Sequence, residues 1–168
     1  MESSLSRQRR ITNRDLPQQL LMARDALMSH FRPVLNHFGV TEQQWRILRA
    51  LDRHEGLEPR ELCTLCQILS PSMAGVLARM EETGMVQRRR VAADARRVMV
   101  SLAPKGDALF DEIAPLIERQ YRLMEKAWGK RVLDDLSNAL GGFIAAQATP
   151  VPQVELPSSA AAAKAPLR

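Results

Sequence analysis

A mainly α fold carrying one small β-hairpin is what this sequence predicts, and three observations support it. Apolar residues recur every three or four positions over most of residues 16–147, the spacing that gathers side chains on one side of a helix. Leu, Met, Ala, Arg, Glu and Gln are frequent, whereas glycine numbers 8 and aromatic residues make up 4%, a mixture that favours helix over sheet. One stretch departs from this: Val98, Val100 and Leu102 alternate with Met99 and Ser101, and Met85 to Val91 precedes them across a link at Ala92–Arg96.

The 168 residues suffice for one domain with a core, expected over 16–147, with a flexible basic arm at 1–15 and a disordered tail at 148–168. From Leu16 the apolar positions Leu20, Leu27, Phe31, Leu35 and Phe38 predict one long helix to Gly39, kinked at Pro33. Thr41 and Gln44 form a capping-box pattern opening a second helix through Trp45, Leu48 and Leu51 to about His54. A third helix is expected over Pro59–Cys66. Ser70 is the expected cap of a fourth, with Pro71 at its first position and Gly84 as a left-handed stop.

On that fourth helix Met73, Val76, Leu77 and Met80 form an apolar stripe, which leaves Ser72, Gly75 and Arg79 on another, polar face. After the hairpin, Pro104 starts a long helix through Phe110, Ile113, Leu116, Tyr121 and Met124, bent at Pro115 and interrupted at Gly129. A last helix carries Val132, Leu136, Leu140 and Phe143 on one side.

Charge narrows the function. Lys and Arg outnumber Asp and Glu by 24 to 19, and Arg88, Arg89, Arg90, Arg96 and Arg97 crowd the hairpin, with Asp94 the acid among them. Such a patch suits a polyanion, although the same residues could form a solvated charged hairpin. No apolar run approaches the roughly 20 residues of a membrane span, so a cytoplasmic protein with no membrane partner is expected. No nucleophile with a base, phosphate loop or metal set can be assembled, which predicts no enzyme, no catalytic residue, no cofactor and no metal. Cys63 and Cys66 fall at helical spacing and suit buried structural thiols; a thiol-responsive regulator is the alternative.

Taken in order, helix, helix, helix-turn-helix, hairpin, long helix and helix describe a winged helix-turn-helix with a helical dimerisation region. A helix fits the major groove of double-stranded DNA, and a basic hairpin beside it reaches phosphates or the minor groove. Residues 69–89 (LSPSMAGVLARMEETGMVQRR), Asp94-Ala95-Arg96-Arg97 and Leu102-Ala103-Pro104-Lys105-Gly106 resemble the MarR family of bacterial regulators, over about residues 16–147. Within it, Ala23 to Leu48 is most similar to the HpaR-like subgroup, repressors of aromatic-acid degradation operons.

The resemblance implies a recognition helix at about Ser70 to Glu82, a wing whose Arg96 enters the minor groove while Asp94 orients nearby arginines, and a homodimer built from about 16–38 and 104–147. The DNA-binding region then spans about 41–102. It also implies a palindromic operator released by a small aromatic carboxylate, similar to homoprotocatechuate or a hydroxynicotinate, in a repressor that is nucleoid-associated when bound to DNA. Arg24, Ser29, Trp45 and Arg46 are the candidates for that ligand. Each has a plainer role: Trp45 as a packing residue, Arg24 as the partner of Asp25 or another surface acid. The family usually has Thr where Ala103 stands, which removes a hydroxyl cap from the helix after the wing. An architectural DNA-binding protein without an effector is the rival function.

Overall fold

The computed structural model describes residues 15–91 and 94–156. In chain order its elements are α1 (Leu16–Ser29), α2 (Arg32–His37), α3 (Glu42–Asp52), α4 (Pro59–Cys66), α5 (Ser70–Glu82), β1 (Val86–Val91), β2 (Asp94–Leu102), α6 (Pro104–Trp128) and α7 (Lys130–Ala146). Residues up to Leu123 form one compact unit and those from Met124 a second, the division falling inside α6.

The expected kinked helix over 16–38 is two helices. Pro33 has no N–H to give the carbonyl of Ser29, and its ring would collide with that carbonyl in a continuous helix. The chain instead tightens, His30 N–H bonding Leu27 and Phe31 N–H bonding Met28, and Pro33 enters α2 in its first turn. Asp15, placed in the arm by the sequence pattern, caps α1 by accepting from Gln18 N–H at 3.2 Å. The capping box of α3 forms as expected: Gln44 N–H donates to Thr41 Oγ1 at 3.2 Å and Thr41 N–H to Gln44 Oε1 at 2.8 Å.

Two further expectations shift by a residue or more. Ser70 does not cap α5; it is already helical, and Leu69 occupies the cap position with extended backbone and no side-chain bond. Proline in the first helical turn needs no donor, so the helix starts without a hydroxyl. The hairpin is longer than its apolar alternation suggests, because β2 begins at Asp94 rather than Arg97. Val86 pairs with Leu102 and Arg90 with Val98, and the register slips between Arg90 and Val91. A third short segment joins the sheet where Leu57 and Val100 exchange both backbone bonds, at 2.9 and 2.8 Å.

The core of the first unit lies where α3, α4, α5, the hairpin and α6 converge. Ile47, Leu48, Leu62, Met80, Val100 and Ile113 are fully buried, each worth about 1.5–3 kcal/mol relative to exposure. Gly106 sets how closely α6 starts against the sheet: a Cβ there would lie 1.9 Å from the Met85 carbonyl oxygen. The helix continues through Pro115, which sits on its exposed side where water can solvate the carbonyl left unpaired.

Candidate nucleic-acid interface and ligand cavity

The chain bends by 110° between α4 and α5, within the range of a helix-turn-helix. Gln67 makes the turn in the left-handed region, at φ 50°, and Ile68 N–H returns to the Cys63 carbonyl. Met73, Val76, Leu77 and Met80 face the core, and Ser70, Ser72, Gly75 and Arg79 are exposed. Nothing lies within 4 Å of where a Cβ on Gly75 would stand, so no internal packing demands glycine there. Its smoothness faces outward.

On the hairpin, Arg88, Arg89 and Arg90 are exposed. Arg88 Nε meets Glu81 at 3.1 Å, and Arg89 donates to Gln87 Oε1 at 3.2 Å. Arg97 is tied instead to the start of α4, its guanidinium 2.5 Å from Glu58 Oε1, and the charge of Asp94 also favours its cation. The Arg96 side chain lies outside the described residues. The structure thus brings Arg88 to Arg90 together on one strand and draws Arg97 into an internal ion pair.

A separate cavity of about 190 Å³ opens between α1, α3 and α6. Leu27, Met28, Phe31, Trp45, Ile117 and Tyr121 supply apolar and aromatic walls, and Arg24, Glu42, Arg46 and Arg49 supply charge. Trp45 is fixed by stacking on Phe110 at 5.3 Å, and Phe31 by the Tyr121 ring at 4.8 Å. Arg24 pairs with Glu42 at 2.5 Å rather than with Asp25, which pairs with Arg32. Arg32 also holds Glu42 at 2.8 Å. Its hydrogen bond, more than the one from Arg24, keeps the Glu42 carboxyl below the usual range against the opposing effect of burial.

Of the four sequence candidates, Arg24, Trp45 and Arg46 line this cavity. Ser29 does not: it is exposed, and its hydroxyl donates to the Ala26 carbonyl at 2.7 Å. Arg46 Nη1 donates to the Cys66 carbonyl at 2.6 Å, and Arg46 Nε is buried with no hydrogen-bond partner among the described residues. Glu42, Arg49 and Tyr121 were missed. Glu42 and Arg49 lie three before and four after Trp45, the helical spacing that shares a face, so the signal for these two was present in the sequence.

The buried Cys66 thiol donates to the Arg46 carbonyl at 3.5 Å, and burial pushes its pKa up, which disfavours the thiolate. Cys63 is half-buried. Among the described residues no three His, Cys, Asp or Glu side chains group as metal ligands, and no single helix is long and apolar enough to cross a membrane.

Residues 38–97, which hold the helix-turn-helix and most of the hairpin, match the MarR family. The chain is 40% identical over 111 residues to the HTH-type transcriptional regulator FarR of Neisseria gonorrhoeae, an alignment covering 66% of this chain and 76% of FarR. The chain belongs to the MarR family. It is also 39% identical to the homoprotocatechuate degradative operon repressor of Escherichia coli, over 75% of this chain and 85% of that protein. Among solved structures, NadR in complex with 4-hydroxyphenylacetate superposes with a TM-score of 0.69 at 34% identity, covering 79% of this chain and 94% of NadR. As a MarR-family protein the chain is a winged helix-turn-helix transcriptional regulator, with α4 and α5 forming the helix-turn-helix and the β1–β2 hairpin the wing.

Proposed function

We propose that this regulator is a homodimeric repressor that holds a palindromic operator through α5 and the hairpin, and releases it when a small aromatic carboxylate enters the cavity between α1, α3 and α6. The observation that carries the reading is the cavity's lining: aromatic rings of Trp45, Phe31 and Tyr121 beside the guanidinium groups of Arg24, Arg46 and Arg49. Rings suit an aromatic body, and a planar cationic fork suits a carboxylate. Glu42 in the same wall is an acceptor for a phenolic hydroxyl. NadR, with 4-hydroxyphenylacetate bound, and the E. coli repressor named for homoprotocatechuate point to the same ligand class.

Ser70, Ser72, Gly75 and Arg79 are the residues proposed to face the major groove, with Arg88, Arg89, Arg90 and Arg96 at phosphates or the minor groove; Arg97, whose cation Asp94 also favours, braces the hairpin against Glu58 at the start of α4. Exposed Leu16, Leu20, Leu21 and Met22 on α1, and Val132, Leu136, Phe143 and Ile144 on α7, are apolar surface that a second copy would cover. Operator binding, titrated with 4-hydroxyphenylacetate and homoprotocatechuate, tests the reading. Affinity is expected to fall about 5–150-fold at saturating ligand. Unchanged affinity, with ligand binding shown independently by calorimetry, would refute release as the mechanism.

A further inference from the structure

A second cavity, of about 260 Å³, lies on α3 against α4 and is lined by Arg46, Arg49, Ala50, Arg53, His54 and Leu65. Its lining is cationic, with three arginines and a histidine. At several other sites the arginines are matched by acids, Arg24 and Arg32 by Glu42, Arg88 by Glu81 and Arg97 by Glu58. Here no acid lines the cavity, and Arg46, Arg49 and Arg53 form no ion pair among the described residues. The three stand at helical spacings of three and four, so their guanidinium groups converge along one stripe of α3. Like charges held this close repel, and the buried, unpartnered Nε of Arg46 adds a donor still to be satisfied.

We propose that this cavity binds a small, multiply charged oxyanion of the phosphate type. Several planar forks and an imidazole converging without a competing carboxylate suit tetrahedral oxygens carrying two or more charges. Exposed Leu65 and the Ala50 methyl give one wall an apolar character, so the anion could be free or carried on a small organic group. The site adjoins the aromatic cavity through Arg46 and Arg49 but does not depend on it, because Arg53, His54 and Leu65 line only the cationic one of the two.

The test is melting temperature in inorganic diphosphate and, separately, phenyl phosphate, each at constant ionic strength set with chloride. At a hundred times the dissociation constant, either ligand is expected to raise the midpoint by about 5 °C. A response to phenyl phosphate alone assigns the site to an organic ester, and a response to both assigns it to the anion itself. Arg53→Gln is expected to weaken oxyanion binding about tenfold while keeping operator affinity and the response to 4-hydroxyphenylacetate. His54→Gln, a milder change, is expected to weaken it in the same direction. No stabilisation by either ligand, or equal stabilisation in both variants, overturns the proposal. So does weaker operator binding by Arg53→Gln in oxyanion-free buffer, which would make this row a contact for DNA phosphates.

Discussion

The Glu42 carboxylate gathers Arg32 of α2 and Arg24 of α1 onto the first turn of α3, where an acid is also favoured by the helix dipole. Its depressed pKa has a direct consequence for stability. A carboxylate held lower in the folded chain than in the unfolded one contributes fully above the unfolded value, near 4.5, and loses that contribution as pH falls through the folded value. The melting temperature is therefore expected to drop below about pH 4.5. Glu42→Gln should cost about 1 kcal/mol at neutral pH and flatten that acid limb. Some slope remains, because Asp25 is lowered in the same way by Arg32. Parallel melting curves for parent and variant across this window would show that the cluster contributes nothing. That Arg24 pairs with a surface acid was legible in the sequence, but which acid was not: Glu42 lies 18 positions away, and the helix break that brings them together comes from Pro33.

At the level of elements, what could be foreseen followed from local rules. Capping of α3, the buried stripe of α5 and the stops at Gly84 and Gly129 each depend on a few neighbouring residues, and each formed where the pattern placed it. Part of what escaped was local, since Leu69 and not Ser70 caps α5 and Asp15 caps α1, and the rest depended on distant partners. Leu57 pairs with Val100, far along the chain, the two exchanging backbone bonds that no local pattern announces, and Arg97 turns to Glu58 at the start of α4. That second pairing divides the basic residues by role and yields a prediction about DNA. Arg90→Ala is expected to weaken binding to every sequence alike and lower the salt slope by about 1. Ser72→Ala and Arg79→Ala should instead change which operators are preferred, because they stand on the exposed face of α5. Binding measured on an operator and on unrelated DNA, at several salt concentrations, separates the two. If Arg90→Ala alters preference while leaving the salt slope unchanged, the division is wrong.

For the whole molecule, the proposed ligand and the operator must act on one equilibrium. Two recognition helices in a symmetric dimer meet successive major grooves only at a separation of about 34–36 Å. A ligand lodged among α1, α3 and α6 can release DNA only if it binds better to a dimer whose spacing is different. Linkage then requires reciprocity: the factor by which ligand weakens operator binding is the factor by which operator weakens ligand binding. With the effector class proposed here, the expected coupling is about 1–3 kcal/mol in both directions. Arg49→Gln, which removes a cation from the cavity wall while leaving α5 and the hairpin untouched, is expected to keep operator affinity and lose most of the ligand response. Arg24→Ala should also keep operator affinity and reduce the response, since Arg24 holds Glu42 in the same wall. Calorimetric titration of 4-hydroxyphenylacetate into the free and the operator-bound protein, set beside operator titrations with and without ligand, measures both sides of the cycle. Equal ligand affinity in the free and bound protein would mean that the cavity, even if occupied, does not communicate with the DNA-binding elements.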